Sequence, residues 1–406
     1  MKSMRDVVIV DGLRTAVGKW QGTLAMVNAE TMAARLLLEL IERNKLDPDT
    51  IDLCLMGNVD NHSNSPNLGR LALLQAGLPH HIAGYSVEHQ CGSSLAAVNV
   101  GYMHIATGNA DIVCAGGAEN MSNLPYWIEN ARQGFRLDEK GLKLHCEFME
   151  TARRVCGPEL YPTGINMGLT AENLADRYSI SRREQDDYAL RSQTLAAEAQ
   201  RKGRFKAEIM PLEVDGRNGP TLFDTDEYIK SDTTLESLAS LRATFKKDGT
   251  VTAGNASGMN DGASAVLMMT REKALELDLK AVASIGEHTN VGCDPAVMGI
   301  SPAYAIRNIL KKAGTSMDDY GLFEVNEAFA AQTLAVLKEL GVTGKRMERF
   351  NVNGGAIALG HPLGASGTRL VITLLEEMKL RGVKRGIAGL CCGGGTGVAT
   401  EFILED

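Results

Sequence analysis

Three short stretches of this 406-residue chain set a reactive side chain among glycines and small residues: HQCGSS around Cys91, ALGHPLG around His361 and LCCGGGTG around Cys391. Cys91 falls between a strand-like run, GYSV, and a helix-like run with Leu95, Val98, Tyr102 and Ile105 on one face. A thiol in such a turn is either a buried structural cysteine or a nucleophile. At a helix N-terminus the dipole and the free N–H groups are expected to lower its pKa, with Ser93 or Ser94 as the N-cap. His361 is the one titratable group in NVNGGAIALGHPLGASG (351–367). An imidazole held in so small-sided a loop is either a packed turn residue or an aimed general base. Cys391 is read as following the last strand, RGIAGL. It is either a second acid/base beside N–H donors or a packed thiol, with a vicinal disulfide to Cys392 as a further option. Asn326, in FEVNEAFAAQ, either caps the next helix or orients a water.

The elements that must carry these residues alternate. DVVIVDG, IDLCLMGNV, ADIVCAGGAEN, ASAVLMMT and AVASIGEHTN read as strands, while AETMAARLLLELIERNKL and NLGRLALLQAGLP read as helices. The alternation predicts an α/β protein with a mostly parallel sheet covered by helices. Residues 121–250 break the pattern, with the polar-faced helix SRREQDDYALRSQTLAAEAQRKGRF and the turn-rich PLEVDGRNGPTLFDTDEYIKSD, and are read as an inserted lobe. The expected organisation is a first half at 1–120, the lobe at 121–250, completion of the first half at 251–278 and a second half at 279–406. An internal repeat supports two halves. YSVEHQCGSSLAAVNVGYMHIATGNADIVCAGGAEN and FNVNGGAIALGHPLGASGTRLVITLLEEMKLRGVKRGIAGLCCGGGTG share the order strand, turn, helix, strand, glycines.

Charge and cysteine usage narrow the function. A net charge of −8 makes nucleic acid and anionic membranes poor partners. No apolar run of about 18 residues occurs, and no secretory or lipidation signal is read, so a cytoplasmic protein is expected. The eight cysteines include no C-x-x-C pair, which argues against zinc and for reduced thiols.

Taken together, CGSS at Cys91, GTVTAGNASGMNDGA, NEAFA, GGAIALGHPLGASG and CCGGGTG resemble the thiolase family, in that family's order and through almost the whole chain. The likeness is strongest to its acetyl-CoA acetyltransferase (acetoacetyl-CoA thiolase) and short-chain 3-ketoacyl-CoA members. It implies a duplicated αβαβα layered fold with an inserted loop lobe. It also implies an acyltransferase that joins two acetyl-CoA or cleaves acetoacetyl-CoA through an acyl-cysteine. In that reading Cys91 is the nucleophile and His361 its base, while Cys391 handles the α-proton. Asn326 holds a water beside His361, and the N–H groups of Cys91 and Gly393 form an oxyanion hole. Ser237, Phe245, Ala253 and Ser257 would contact coenzyme A, and Met167, Met298, Ala328 and Phe329 the pantetheine and acyl end. Coenzyme A is then a substrate, no cofactor or metal is expected, and a homodimer or homotetramer is. The chain departs from the family pattern at Asn166, where a histidine is usual, at Glu88 and Ser94, which would crowd the nucleophile, and at GGAEN. Other readings are a degradative 3-ketoacyl-CoA thiolase of broader range and a thiolase-like protein that binds coenzyme A without catalysis. A ketoacyl synthase would pair its cysteine with two histidines, and a cysteine hydrolase would not need Cys391.

Overall fold

Valine, isoleucine and methionine runs of five to eleven residues, buried on both faces, build the centre of the protein. The computed structural model describes residues 4–60, 65–128, 131–134, 143–157, 159–161, 164–216 and 219–405. Nine strands form the path of one large sheet: β1 (Val7–Thr15), β2 (Leu53–Gly57), β3 (Ala83–Val87), β4 (Ile112–Asn120), β5 (Asn260–Thr270), β6 (Ala283–Gly292), β7 (Leu322–Val325), β8 (Arg385–Cys392) and β9 (Thr396–Leu404). Their order is β7-β8-β9-β6-β1-β5-β4-β2-β3.

The expectation of a mostly parallel sheet is corrected here. Only β7–β8, β4–β2 and β2–β3 pair in parallel, and the five pairings between β8 and β4 are antiparallel. Helical crossovers make the parallel pairs at the two ends. The central strands meet neighbours that run the other way, and β1–β6 joins the halves at Val8↔Ser284 and Ile9↔Ala283. Nor is RGIAGL the last strand: Cys391 and Cys392 are the final residues of β8, and β9 follows.

Alternate residues of each strand feed different cores. On β4, Cys114 joins the core under α1 (Ala29–Arg43) and α2 (Leu68–Gln75), whereas Val113 and Ala115 face α3 (Ser93–Ala106). A third core lies on the far side of the second half. It holds α5 (Met167–Arg177), α6 (Arg182–Arg201), α8 (Ser301–Ala313) and α9 (Ala330–Glu339) against β7, β8 and β9. Between the sheet halves sit α3 and α10 (Leu363–Arg381), both buried around most of their circumference. The layers therefore run α, β, α, β, α.

The internal repeat is real in topology but unequal in detail. β3–α3–β4 has its counterpart in residues 350–354, α10 and β8. The segment read as a strand at FNVNGG shrinks to an isolated parallel bridge, Phe323↔Phe350. Asn351 has φ 45° and cannot continue a strand. Its side-chain amide completes the pairing instead, accepting from Val325 N at 2.8 Å and donating to Val325 O at 2.8 Å.

The lobe carries α4 (Glu147–Arg154), α5, α6 and α7 (Leu235–Ala239). Ser181 and Glu184 form a capping box that fixes the start of α6. The stretch read as turn-rich contains a hairpin, Leu212–Gly216 with Gly219–Phe223, because Leu212, Val214 and Phe223 have a core to enter. Arg14 of β1, 1% exposed, ties the lobe down by bonding Glu208 and Asp226 at 2.7–3.1 Å. Removing one member of such a buried network costs about 3–5 kcal/mol.

Candidate active site

The chain turns sharply after β3. Gln90 has φ 49°, a 3-10 turn covers Gln90–Gly92, and α3 starts at Ser93. Gly92 is required there, since a Cβ would lie 2.6 Å from both Cys392 Sγ and Val398 Cγ1. This presses Cys91 against the end of β8. The expected serine caps are not found. Gly92 is the N-cap without a side-chain bond, Ser93 Oγ closes the preceding turn by donating to Gln90 O at 2.6 Å, and Ser94 Oγ accepts from Thr368 N of α10 at 3.0 Å. Ser94 thus fastens the two central helices and does not crowd the thiol. Glu88 is exposed and accepts from Gln90 N at 2.7 Å and Gln90 Nε2 at 2.8 Å, so it braces the turn.

The expected low pKa of Cys91 is overturned. Part of the residue reaches the surface, but crowding around the sulfur desolvates it, and burial pushes the thiol up to about 12. The N–H groups of Gly393 and of Cys91 itself pull the other way, and the negative charges of Glu119 and Glu88 add to the rise. Cys391 is fully buried, and its thiol is also raised, first by burial and then by Cys91. All eight cysteines are free.

His361 is 4% exposed and held from three sides. Its backbone N–H donates to Asn260 Oδ1 at 2.9 Å, Nδ1 lies 2.6 Å from Ser366 Oγ, and Nε2 lies 3.2 Å from Asn326 Nδ2. Ser366 donates its own proton to Pro362 O at 2.8 Å, so Nδ1 carries the hydrogen and Nε2 the lone pair. Burial, then the Arg369 guanidinium, lowers His361 from 6.5 to about 3. Asn326 does not cap α9, whose N-cap is Phe329; it is fully buried and its Oδ1 has no partner. No hydrogen bond joins His361 to Cys91 directly.

Several positioning residues were not picked out from the sequence. Glu119 of the first half accepts from Gly364 N in the histidine loop at 2.8 Å. Glu327 accepts from Tyr188, Ser192 and Asn351 at 2.6–2.9 Å and holds NEAFA against α6. Asn260 and Ser366 aim His361. Their types and places in GMNDGA and GASG were visible, but their partners are about a hundred residues away or on a different turn.

The remaining candidates fall into two groups. Ser237 and Ala253 line one cavity of about 160 Å³ with Tyr228 and Lys230. Met167, Phe245, Ala328, Phe329 and Met298 belong to the third core, Phe245 edge-to-face on Phe329 at 6.0 Å, and Met298 is buried to 1% exposure. Ser257 N donates to Ala328 O at 2.9 Å and bridges the groups. Asn166 is exposed and caps α5 through Leu169 N at 3.0 Å. A roomier cavity of about 530 Å³ lies beside Asp11, Arg43 and Lys280, with none of these residues in it.

The thiolase N-terminal domain model matches residues 7–272, and the thiolase C-terminal domain model matches residues 279–404. This chain belongs to the thiolase family. An acetyl-CoA acetyltransferase of Syntrophomonas wolfei is 45% identical over 401 residues, 99% of each chain. One of Pseudomonas aeruginosa is 46% identical over 403 residues, 99% of this thiolase and 100% of that protein. Among solved structures, the Bacillus anthracis acetyl-CoA acetyltransferase has a TM-score of 0.95 at 40% identity and full coverage of both chains. Human mitochondrial 3-ketoacyl-CoA thiolase in complex with CoA has a TM-score of 0.92 at 38% identity, covering 99% and 98%.

Proposed function

We propose that the protein is an acyltransferase that condenses two acetyl-CoA molecules to acetoacetyl-CoA and coenzyme A, and runs the reverse thiolysis, through an acyl group on Cys91. The observation that carries this reading is the meeting of Cys91 with the strand end of the other half, where its sulfur faces its own N–H and that of Gly393 beside a second buried thiol. Two N–H donors at one point stabilise an oxyanion as it forms on the acylated carbon. The resting pair is a neutral thiol and a neutral imidazole, so the proton leaves Cys91 only as the incoming thioester takes up charge. His361 Nε2, with its lone pair free of hydrogen, receives it once the 3.2 Å contact to Asn326 opens to substrate. Cys391 gives its proton to the coenzyme A thiolate that leaves in the first half-reaction and, as the thiolate, removes the α-proton of the second acetyl-CoA. The enolate displaces Cys91, which takes back the proton held by His361, and the unpartnered Asn326 Oδ1 orients a water toward the enolate oxygen. Coenzyme A enters and leaves as substrate, its nucleotide end toward Ser237 and Ala253 and its pantetheine along Met167, Phe245, Ser257, Ala328 and Phe329. Each step has a protein group of its own, and none is routed through a cofactor.

Met298 and Met167 close the acyl end, so short acyl groups are preferred. The exposed edge of β3, with Tyr85 38% exposed, supports a homodimer in which two copies pair their sheets, and the charged lobe a further pairing to a tetramer. No described helix is long and apolar enough to cross a membrane, in keeping with a place in cytoplasmic lipid metabolism. The test is a product assay with acetyl-CoA alone and then with acetoacetyl-CoA plus coenzyme A, with mass mapping of the acetyl group to Cys91. Acetylation elsewhere at an unchanged rate in Cys91→Ala, or a thiolysis optimum at eight carbons or longer, overturns the corresponding part.

A further inference from the structure

Of the two methionines placed at the acyl end, only one can be reached. Met298 is 1% exposed and sealed inside the third core. Met167, Val297 and Cys293 pack on the same core but are half-buried, with surface left over. A substrate touches accessible atoms, so the face it meets belongs to these three. Cys293 is the one beside the reacting groups. Both Cys91 and Cys293 act on the Cys391 thiol, which makes the three sulfurs neighbours.

The chain around Cys293 is pinned on three sides. Its N–H donates to Gly395 O at 2.7 Å, in the turn that follows Cys391 and Cys392. Gly395 has φ 84°, and a Cβ there would lie 2.3 Å from Cys293 O, so the two turns are pressed together. Asp294 Oδ1 accepts from the Tyr161 hydroxyl of the lobe at 2.6 Å and from Ala296 N at 2.9 Å. Ala296 O accepts from Asn173 Nδ2 of α5 at 2.9 Å. The sulfur lies 3.7 Å from Asp294 O and 3.9 Å from Met298 O, so it is turned over the backbone that covers Met298. On a backbone held this way, a change of side-chain size alters the space in front of it more readily than it moves the loop. Burial, then Asp294, pushes the Cys293 thiol up to about 11, so it stays uncharged. It is a small apolar wall and not a second nucleophile.

We propose that Cys293 is the specificity-determining residue at the acyl end: the far carbons of the 3-ketoacyl chain meet its thiol, and the size of this side chain sets how far that chain can extend. Met298 backs the wall from inside without touching substrate. The inference rests on the acyl transfer proposed for Cys91 and adds the residue that selects the acyl group.

The experiment measures kcat/KM for thiolysis of four-, six- and eight-carbon 3-ketoacyl-CoA at fixed coenzyme A, in the wild type, Cys293→Leu and Cys293→Ala. Thermal midpoints check that each variant folds. Cys293→Leu should lower the ratio of six- to four-carbon efficiency by about 10-fold or more, and Cys293→Ala should raise it by about 10-fold. A purely structural role would change all chain lengths together, so an unmoved ratio in both variants overturns the inference even where activity falls. If Cys293→Leu does not fold, Cys293→Ala, which removes one atom from a half-buried side chain, decides alone. A wild type that thiolyses no chain length overturns the acyl transfer itself, and this inference with it. Four-carbon thiolysis with an unmoved ratio overturns this inference only.

Discussion

The two halves use one topology to opposite ends. In the first, an edge strand, a strained turn and α3 bring Cys91 to a partly exposed position, with a strand on one side only. In the second, the edge strand is reduced to the Phe323↔Phe350 bridge, a side chain stands in for it, and the loop before α10 sinks until His361 is 4% exposed. Each helix-opening loop is also received by the other half. Cys91 meets Gly393 at the end of β8, and Gly364 donates to Glu119 near the end of β4. In the proposed function the accessible copy supplies a nucleophile that must meet a large substrate. The buried copy supplies groups that must hold still and stay dry.

The largest expected effect breaks that division at the accessible copy. Cys91→Ala should lower thiolysis by about 10⁴-fold or more, because the neighbouring thiols Cys391 and Cys392 are fully buried while Cys91 is partly exposed, and should abolish acetyl labelling. Next come the buried groups, where His361→Ala and Cys391→Ala should each cost about 10²–10⁴-fold in turnover. They should separate by assay. His361→Ala slows acetylation of Cys91, whereas Cys391→Ala still acetylates but no longer exchanges the α-protons of acetyl-CoA with solvent.

A smaller effect tests the packing between the halves. Gly92→Ala drives a methyl into Cys392 and Val398 and should destabilise the protein by about 1–3 kcal/mol, measured by denaturant unfolding. Ser94→Ala, which leaves Thr368 N without its acceptor, should cost about 1 kcal/mol.

Two further tests are in pH. His361 titrates near 6.5 unfolded and near 3 folded, so between those values the unfolded chain holds the extra proton. Stability from this group is therefore complete above pH 6.5 and falls as pH drops toward 3. In His361→Gln the thermal midpoint should decline less over that window. Cys91 runs the other way. Its thiol is raised from 9.0 to about 12, so iodoacetamide labelling of the substrate-free enzyme should keep rising between pH 9 and 12 and show no plateau near 7.

Local patterns in the sequence were readable wherever a residue's neighbours in the chain decide its state. The periodicities of Ala29–Arg43 and Leu68–Gln75 gave their helices, and glycine-flanked Cys91, His361 and Cys391 stood out without any fold. What escaped was set by distant residues. The dipole argument for Cys91 failed because burial against β8 outweighs the two N–H groups that favour the thiolate. The sheet was expected to be parallel because alternation of strands and helices does not say which strands meet at the centre. Asn351 could not be recognised as a substitute strand, since its partner Val325 lies 26 residues back and the bond is made by a side chain. Glu119 stood out only as part of the strand ADIVCAGGAEN until Gly364, 245 residues on, was placed beside it.

That crossed arrangement has a consequence for biosynthesis. A ribosome releases the turn holding Cys91 about three hundred residues before Gly393, and Ser94 waits 274 residues for the Thr368 that fastens α3. At some 5–20 residues per second this is a delay of about 15–60 s. Throughout it the thiol lacks one of its two N–H donors, the neighbouring Cys391 thiol and the His361 imidazole. The growing chain therefore lacks the means to react with any acetyl-CoA it meets. Catalytic competence arrives in one step, when the second half docks, so an enzyme truncated before β8 should be inert rather than partly active.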